Sequence, residues 1–60
     1  METATILILK EIKEYIEFLR NHMISTGAEF GFHHERTIKA SQELDYVIYK
    51  YQVIQRRILA

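Results

Sequence analysis

At 60 residues, with 48% hydrophobic and 27% charged positions, the chain has the composition of a folded protein and the length of one domain at most. A core of that size is marginal without disulfides, metal or association. The absence of cysteine excludes a disulfide framework and a thiolate zinc site, and it favours a reducing cytoplasm. Eight Lys plus Arg balance eight Asp plus Glu with no basic stripe, so counterion release offers little and nucleic acid is not an expected partner.

Taken in chain order, Ile6-Leu7-Ile8-Leu9 is an apolar run, but Lys10, Glu11, Lys13 and Glu14 follow at once. The run is too short to span a bilayer and does not read as a secretory segment. From Thr5 to about Thr26, Leu9, Ile12, Ile16, Leu19 and Met23 recur at steps of three and four, which is one face of a helix. Ile8 and Tyr15 widen that face. Proline is absent, and both glycines lie mid-chain, with Gly27 placed where a left-handed C-cap would end the first helix. Residues 27–33 then form a short connection. A second helix over about 34–59 repeats the spacing with Ala40, Leu44, Val47, Tyr51, Ile54 and Ile58. A connection this short makes the helices antiparallel neighbours. The expected fold is all-α, an antiparallel two-helix hairpin over 1–60 with coiled-coil-like packing along a seam of average spacing 3.5.

Two helices have only each other to pack on, so apolar residues outside the seam carry information. These are Leu7, Phe18 and Ile24 on the first helix and Tyr46, Tyr49 and Val53 on the second. They are either scattered surface hydrophobes or a contact surface for a twin subunit or another protein. A conventional catalytic set is missing. Adjacent His33 and His34 diverge by about 100° on a helix and cannot chelate one ion from a single face, so a metal site built from them with His22 and Glu35 is rejected. Ser25 and Ser41 have no His and acid pair nearby in sequence. A hairpin also offers no deep pocket for a small substrate.

The segment Ser41-Gln42-Glu43-Leu44-Asp45, followed by Tyr46-Val47-Ile48-Tyr49-Lys50-Tyr51-Gln52, resembles the signature of the stage-zero sporulation protein E family. In that family a Ser-Gln-Glu-Leu-Asp motif lies in the second helix of a hairpin. The run from Ile12 to Met23, with Leu19 and Arg20, is similar to the family's first helix, and the resemblance spans about residues 6 to 55. One departure is His33-His34-Glu35, where the family often has Ser or Asp followed by Pro, which weakens the expected N-cap.

The resemblance implies an aspartyl-phosphate phosphatase acting on the phosphorylated response regulator of sporulation, a negative regulator working in the cytoplasm. Independently of it, about 100° per residue points Leu44 and Tyr51 into the seam and Asp45 outward, one turn from Gln42 and Tyr49. Read without the resemblance, Asp45 is a surface carboxylate, solvated or paired with Lys50. With it, Asp45 is the catalytic candidate, with Gln42 as runner-up, and Ser41, Tyr46 and Tyr49 border the partner. Ser41 also reads as a small residue at the seam edge, and Glu43 as a partner for the first helix. No cofactor of its own is expected; magnesium would come with the partner's receiver domain. The alternative is a non-catalytic helical module that binds or dimerises a partner through aromatic anchors. The wide apolar faces permit a homodimer with a four-helix core, and equally a monomer that gains stability on its partner.

Overall fold

The computed structural model of the protein describes residues 3–59, so the domain expected over 1–60 is seen without Met1, Glu2 and Ala60. Helix α1 runs Thr3–Phe30 and helix α2 Glu35–Leu59, and the chain between them reverses direction so that the two pack antiparallel. At about 1.5 Å per residue the 28 residues of α1 extend roughly 42 Å, matching the 43 Å long axis of the molecule. The radius of gyration is 13.8 Å, against about 10 Å for a compact chain of this length. The core is therefore a line along the hairpin rather than a centre. No helix among the described residues is long and apolar enough to cross a membrane.

That line follows the three-and-four spacing. Ile16, Leu19 and Leu44 form the buried cluster, Leu19 being only 2% exposed, and Ile12, Met23, Val47, Ile48 and Tyr51 pack around it. Ala40 is buried nearer the turn, where its small side chain lets the helices approach. Burial fades toward the open end, where Leu9, Ile54 and Ile58 are half-buried. Ile8 and Tyr15 do not widen the seam as expected, since they are 52% and 45% exposed. Val53, expected outside it, is half-buried. Ile8 and Tyr15 stay exposed because two helices meet along a narrow stripe that leaves its margins uncovered, whereas Val53 lies on the side of α2 that also carries Tyr46 and Tyr49, away from the seam.

The turn differs from expectation in its details. Gly27 does not end the first helix. The helix continues four residues past Thr26, and Gly31 takes the left-handed conformation, with φ of 98°. Its N–H closes the last helical turn on the Gly27 carbonyl at 2.8 Å. The connection is accordingly 31–34 rather than 27–33. A left-handed residue suits glycine, which lacks the Cβ that strains this conformation. Gly27 is glycine for another reason: the Phe32 ring folds back onto it, and a methyl group there would overlap the ring edge.

Polar side chains complete this end. The Thr37 hydroxyl, on a residue 3% exposed, donates to the Gly31 carbonyl at 2.8 Å, and the same carbonyl accepts the His34 N–H at 3.2 Å. Buried Thr26 donates back to the His22 carbonyl at 2.7 Å. The start of α2, expected to be weakly capped, has a cap in His34. Its Nδ1 accepts the Arg36 N–H at 3.1 Å, while its carbonyl accepts the Ile38 N–H at 3.0 Å. Those are the side-chain and main-chain bonds that Ser or Asp makes at an N-cap. Among the described residues no buried side-chain polar atom lacks a partner.

Two outcomes test this packing. Leu44→Ala, which removes a side chain from the three-residue buried cluster, should destabilise the protein by about 2–4 kcal/mol. Thermal melting followed by circular dichroism would show it, and an unchanged midpoint would refute the seam. For Gly27→Ala, helix propensity alone favours alanine by about 1 kcal/mol. We expect that gain only in a Phe32→Ala background, and a neutral or destabilising effect when Phe32 is present. Equal effects in both backgrounds would mean that the ring does not rest on Gly27.

Candidate functional site

Helix phase distributes the five motif residues to different surroundings. Leu44 is in the core, and Ser41 is half-buried at the seam edge. Glu43 points sideways to α1, where its Oε1 accepts the Tyr15 hydroxyl at 2.8 Å. This bond between the helices, followed by burial and the carboxylate's charge, holds the Tyr15 phenol above its ordinary pKa. Gln42 and Asp45 are exposed. Glu43 thus does what the sequence suggested, pairing with the first helix.

Beside Gln42 and Asp45 lie Tyr46 and Tyr49, each 60% exposed. At about 100° per residue, Gln42, Asp45, Tyr46 and Tyr49 fall within an arc of about 100° on α2, on the side directly away from Leu44, Val47 and Tyr51. The structure brings four of the five candidate residues onto one outward face and leaves Ser41 at its margin. Among the described residues Asp45 makes no ion pair; those formed are Glu17 with Arg20 and Glu35 with Lys39. Lys50, the expected alternative partner, instead places its ammonium 5.5 Å from the centre of the Tyr46 ring. A cation over a tyrosine face is favourable and leaves the carboxylate to solvent.

The face is not a pocket. An open groove of about 420 Å³ lies near the turn and includes Glu29, Glu43, Arg36 and Lys39, and another depression of about 290 Å³ lies on the opposite flank beside Lys13 and Gln52. Neither is lined by Gln42, Asp45, Tyr46 or Tyr49. An exposed carboxylate and amide on a convex helix surface cannot enclose a small substrate or exclude water from it. They can enter a cleft belonging to something else.

His33 and His34 lie in the connection rather than on a helix, so the divergence of about 100° expected of helical neighbours does not apply to them. His34 caps α2, while His22 stacks on Phe18 at 6.3 Å, and Phe18 stacks on Tyr15 at 6.2 Å. Among the described residues no three His, Asp or Glu side chains gather at metal-ligand spacing. Sequence reasoning missed the His34 cap and the buried threonines. A hydroxyl four residues C-terminal to a helix carbonyl was the available signal for Thr26; nothing local marks Thr37, which bonds across the turn.

Neither the search of curated proteins nor that of solved structures finds a match. The family described as Spo0E like sporulation regulatory protein matches over residues 8–52, a span that includes the core of α1, the turn and the whole outward face of α2. The chain belongs to the Spo0E-like family of sporulation regulatory proteins.

Proposed function

We propose that the protein is an aspartyl-phosphate phosphatase that dephosphorylates the phosphorylated response regulator of sporulation, acting in the cytoplasm as a negative regulator. The observation that carries this reading is the placement of Gln42 and Asp45, side by side with Tyr46 and Tyr49, on the solvent face of α2 opposite the seam. In a sporulation regulatory family, such a face suits a substrate that is itself a protein.

An aspartyl phosphate is a reactive acyl phosphate, and what it lacks for hydrolysis is a positioned water. Asp45, one turn from Gln42, accepts a proton from that water as its oxygen attacks phosphorus in line. The bond between phosphorus and the regulator's carboxylate oxygen breaks, leaving free carboxylate and inorganic phosphate. Gln42 orients the water through its amide. Bringing Asp45 toward a phosphoryl group costs electrostatic repulsion, which magnesium bound in the regulator's own acidic pocket would offset. Tyr46 and Tyr49 supply contact area, as aromatic residues do at protein interfaces, with Ser41 at the border.

Chemistry and binding should separate on mutation. Asp45→Asn should slow phosphate release at saturating protein by roughly 10²–10⁴-fold with little loss of affinity for the phosphorylated regulator. A wild-type rate would eliminate the general-base role, and a wild-type rate for Asp45→Ala would eliminate any role for that residue. Tyr46→Ala or Tyr49→Ala should do the reverse, weakening the complex by about 1–2 kcal/mol while the saturating rate changes little. Normal binding by both would place the interface elsewhere. Turnover distinguishes the whole reading from a stoichiometric binding module. A phosphatase at a small molar fraction empties the phosphorylated pool, whereas a binding module holds at most its own equivalent.

A further inference from the structure

The apolar seam decides which side of α2 faces α1, but apolar contact is non-directional and tolerates a small roll of the helix about its own axis. The chemistry proposed for Gln42 and Asp45 does not. At the roughly 5–6 Å radius of a helix with its side chains, a roll of about 10° carries a side-chain tip roughly 1 Å. A misplacement of about 1 Å can cost roughly 10²-fold in rate. A roll held that finely calls for a directional bond.

Among the described residues one side-chain hydrogen bond joins α1 to α2: the Tyr15 hydroxyl donates to Glu43 Oε1 at 2.8 Å. The ion pairs Glu17 with Arg20 and Glu35 with Lys39 each lie within one helix, and the Thr37 bond closes the turn. The Tyr15–Glu43 bond has leverage over the candidate site, because Glu43 and Asp45 stand about 100° to either side of Leu44. A roll that lifts Glu43 away from Tyr15 swings Asp45 toward the seam, and the opposite roll crowds the bond as it turns Asp45 outward. Gln42, on the same rigid helix, moves with them. Tyr15 is suited to hold this bond. Its ring is 45% exposed, so burial alone does not fix it, but it stacks on Phe18 with centroids 6.2 Å apart. A carboxylate acceptor makes the bond charge-assisted, roughly twice as strong as a neutral one.

We propose that Tyr15 is a positioning residue: through Glu43 it fixes the roll of α2, and with it the reach of Gln42 and Asp45 toward the phosphoryl group. The chemical consequence rests on the phosphatase reading; the control of roll does not.

Tyr15→Phe keeps the ring and removes only the hydroxyl. Phosphate release from the phosphorylated regulator at saturating protein should fall by roughly 10-fold, and up to about 10²-fold, while the half-saturating concentration changes little. Glu43→Ala should match it. Glu43→Gln, which keeps an acceptor oxygen, should restore the rate, and Tyr15→Phe/Glu43→Ala should be no slower than the slower single variant, since both remove one bond. A wild-type rate in Tyr15→Phe overturns the proposal, as do losses that multiply in the double variant. Glu43→Gln as slow as Glu43→Ala also overturns it, because the carboxylate would then act by itself. Residual dipolar couplings of the backbone amides test the roll without any substrate. Along a helix they oscillate with its period, and the phase or amplitude in α2 relative to α1 should change in Tyr15→Phe. Couplings that match the wild type would refute control of the roll whatever the activity. A wild-type protein that releases no phosphate would defeat the phosphatase reading, and the couplings would still decide this one.

Discussion

Everything in this molecule depends on the contact of Ile16 and Leu19 with Leu44, because it fixes the rotation of each helix about its own axis. In a larger domain a helix is held from several sides and its phase is over-determined. Here each helix has one neighbour, so a single stripe decides which residues are hidden and which are offered. With Leu44 inward, a period of 3.6 residues leaves Gln42, Asp45, Tyr46 and Tyr49 no choice but solvent. The proposed site is thus a consequence of the core, and a change of seam phase would dismantle both together.

The turn holds its end of the hairpin differently from the middle. Around Leu19 the helices are joined by apolar burial, whereas at residues 26–37 much of the closure is polar and depends on hydrogen-bond geometry. Gly31 supplies the left-handed reversal, and its carbonyl gathers two donors, while Gly27 leaves room for the Phe32 ring against the helix. Buried hydroxyls are tolerated because each is satisfied locally. Such bonds are directional, so they define the reversal more sharply than apolar contact would.

Much of this was legible in the sequence because helix phase is a local property. The steps of three and four through Leu9 to Met23 and Ala40 to Ile58 required no knowledge of the partner helix, and they placed Leu44 inward and Asp45 outward correctly. What failed was tertiary. Gly27 and Gly31 are chemically identical, and only the Phe32 ring lying on one and the positive φ of the other tell them apart. His34 was unrecognised as a cap because histidine seldom serves as one, and Thr26 and Thr37 because an apolar pattern does not count hydroxyls. The margins of the seam, at Ile8 and Tyr15, depended on how closely α1 approaches α2, which spacing does not encode. The partner that would complete the proposed site is not part of the chain at all.

The contiguity of Ser41-Gln42-Glu43-Leu44-Asp45 also takes on a physical meaning. A run of consecutive residues on a helix cannot form one site, since each step turns about 100° and sends neighbours to different surroundings. This run does several jobs at once. Leu44 anchors α2 in the core, Glu43 ties it to Tyr15 of α1, and Ser41 stays small at the edge, while Gln42 and Asp45 remain exposed. The residues that set the height and rotation of α2 are thus interleaved with those proposed to meet the phosphoryl group, only one position away along the chain. That proximity limits the slack between scaffold and chemistry. A side chain that must reach into another protein's cleft is placed most accurately when the residue beside it is fixed in the core, and Asp45 follows Leu44 directly.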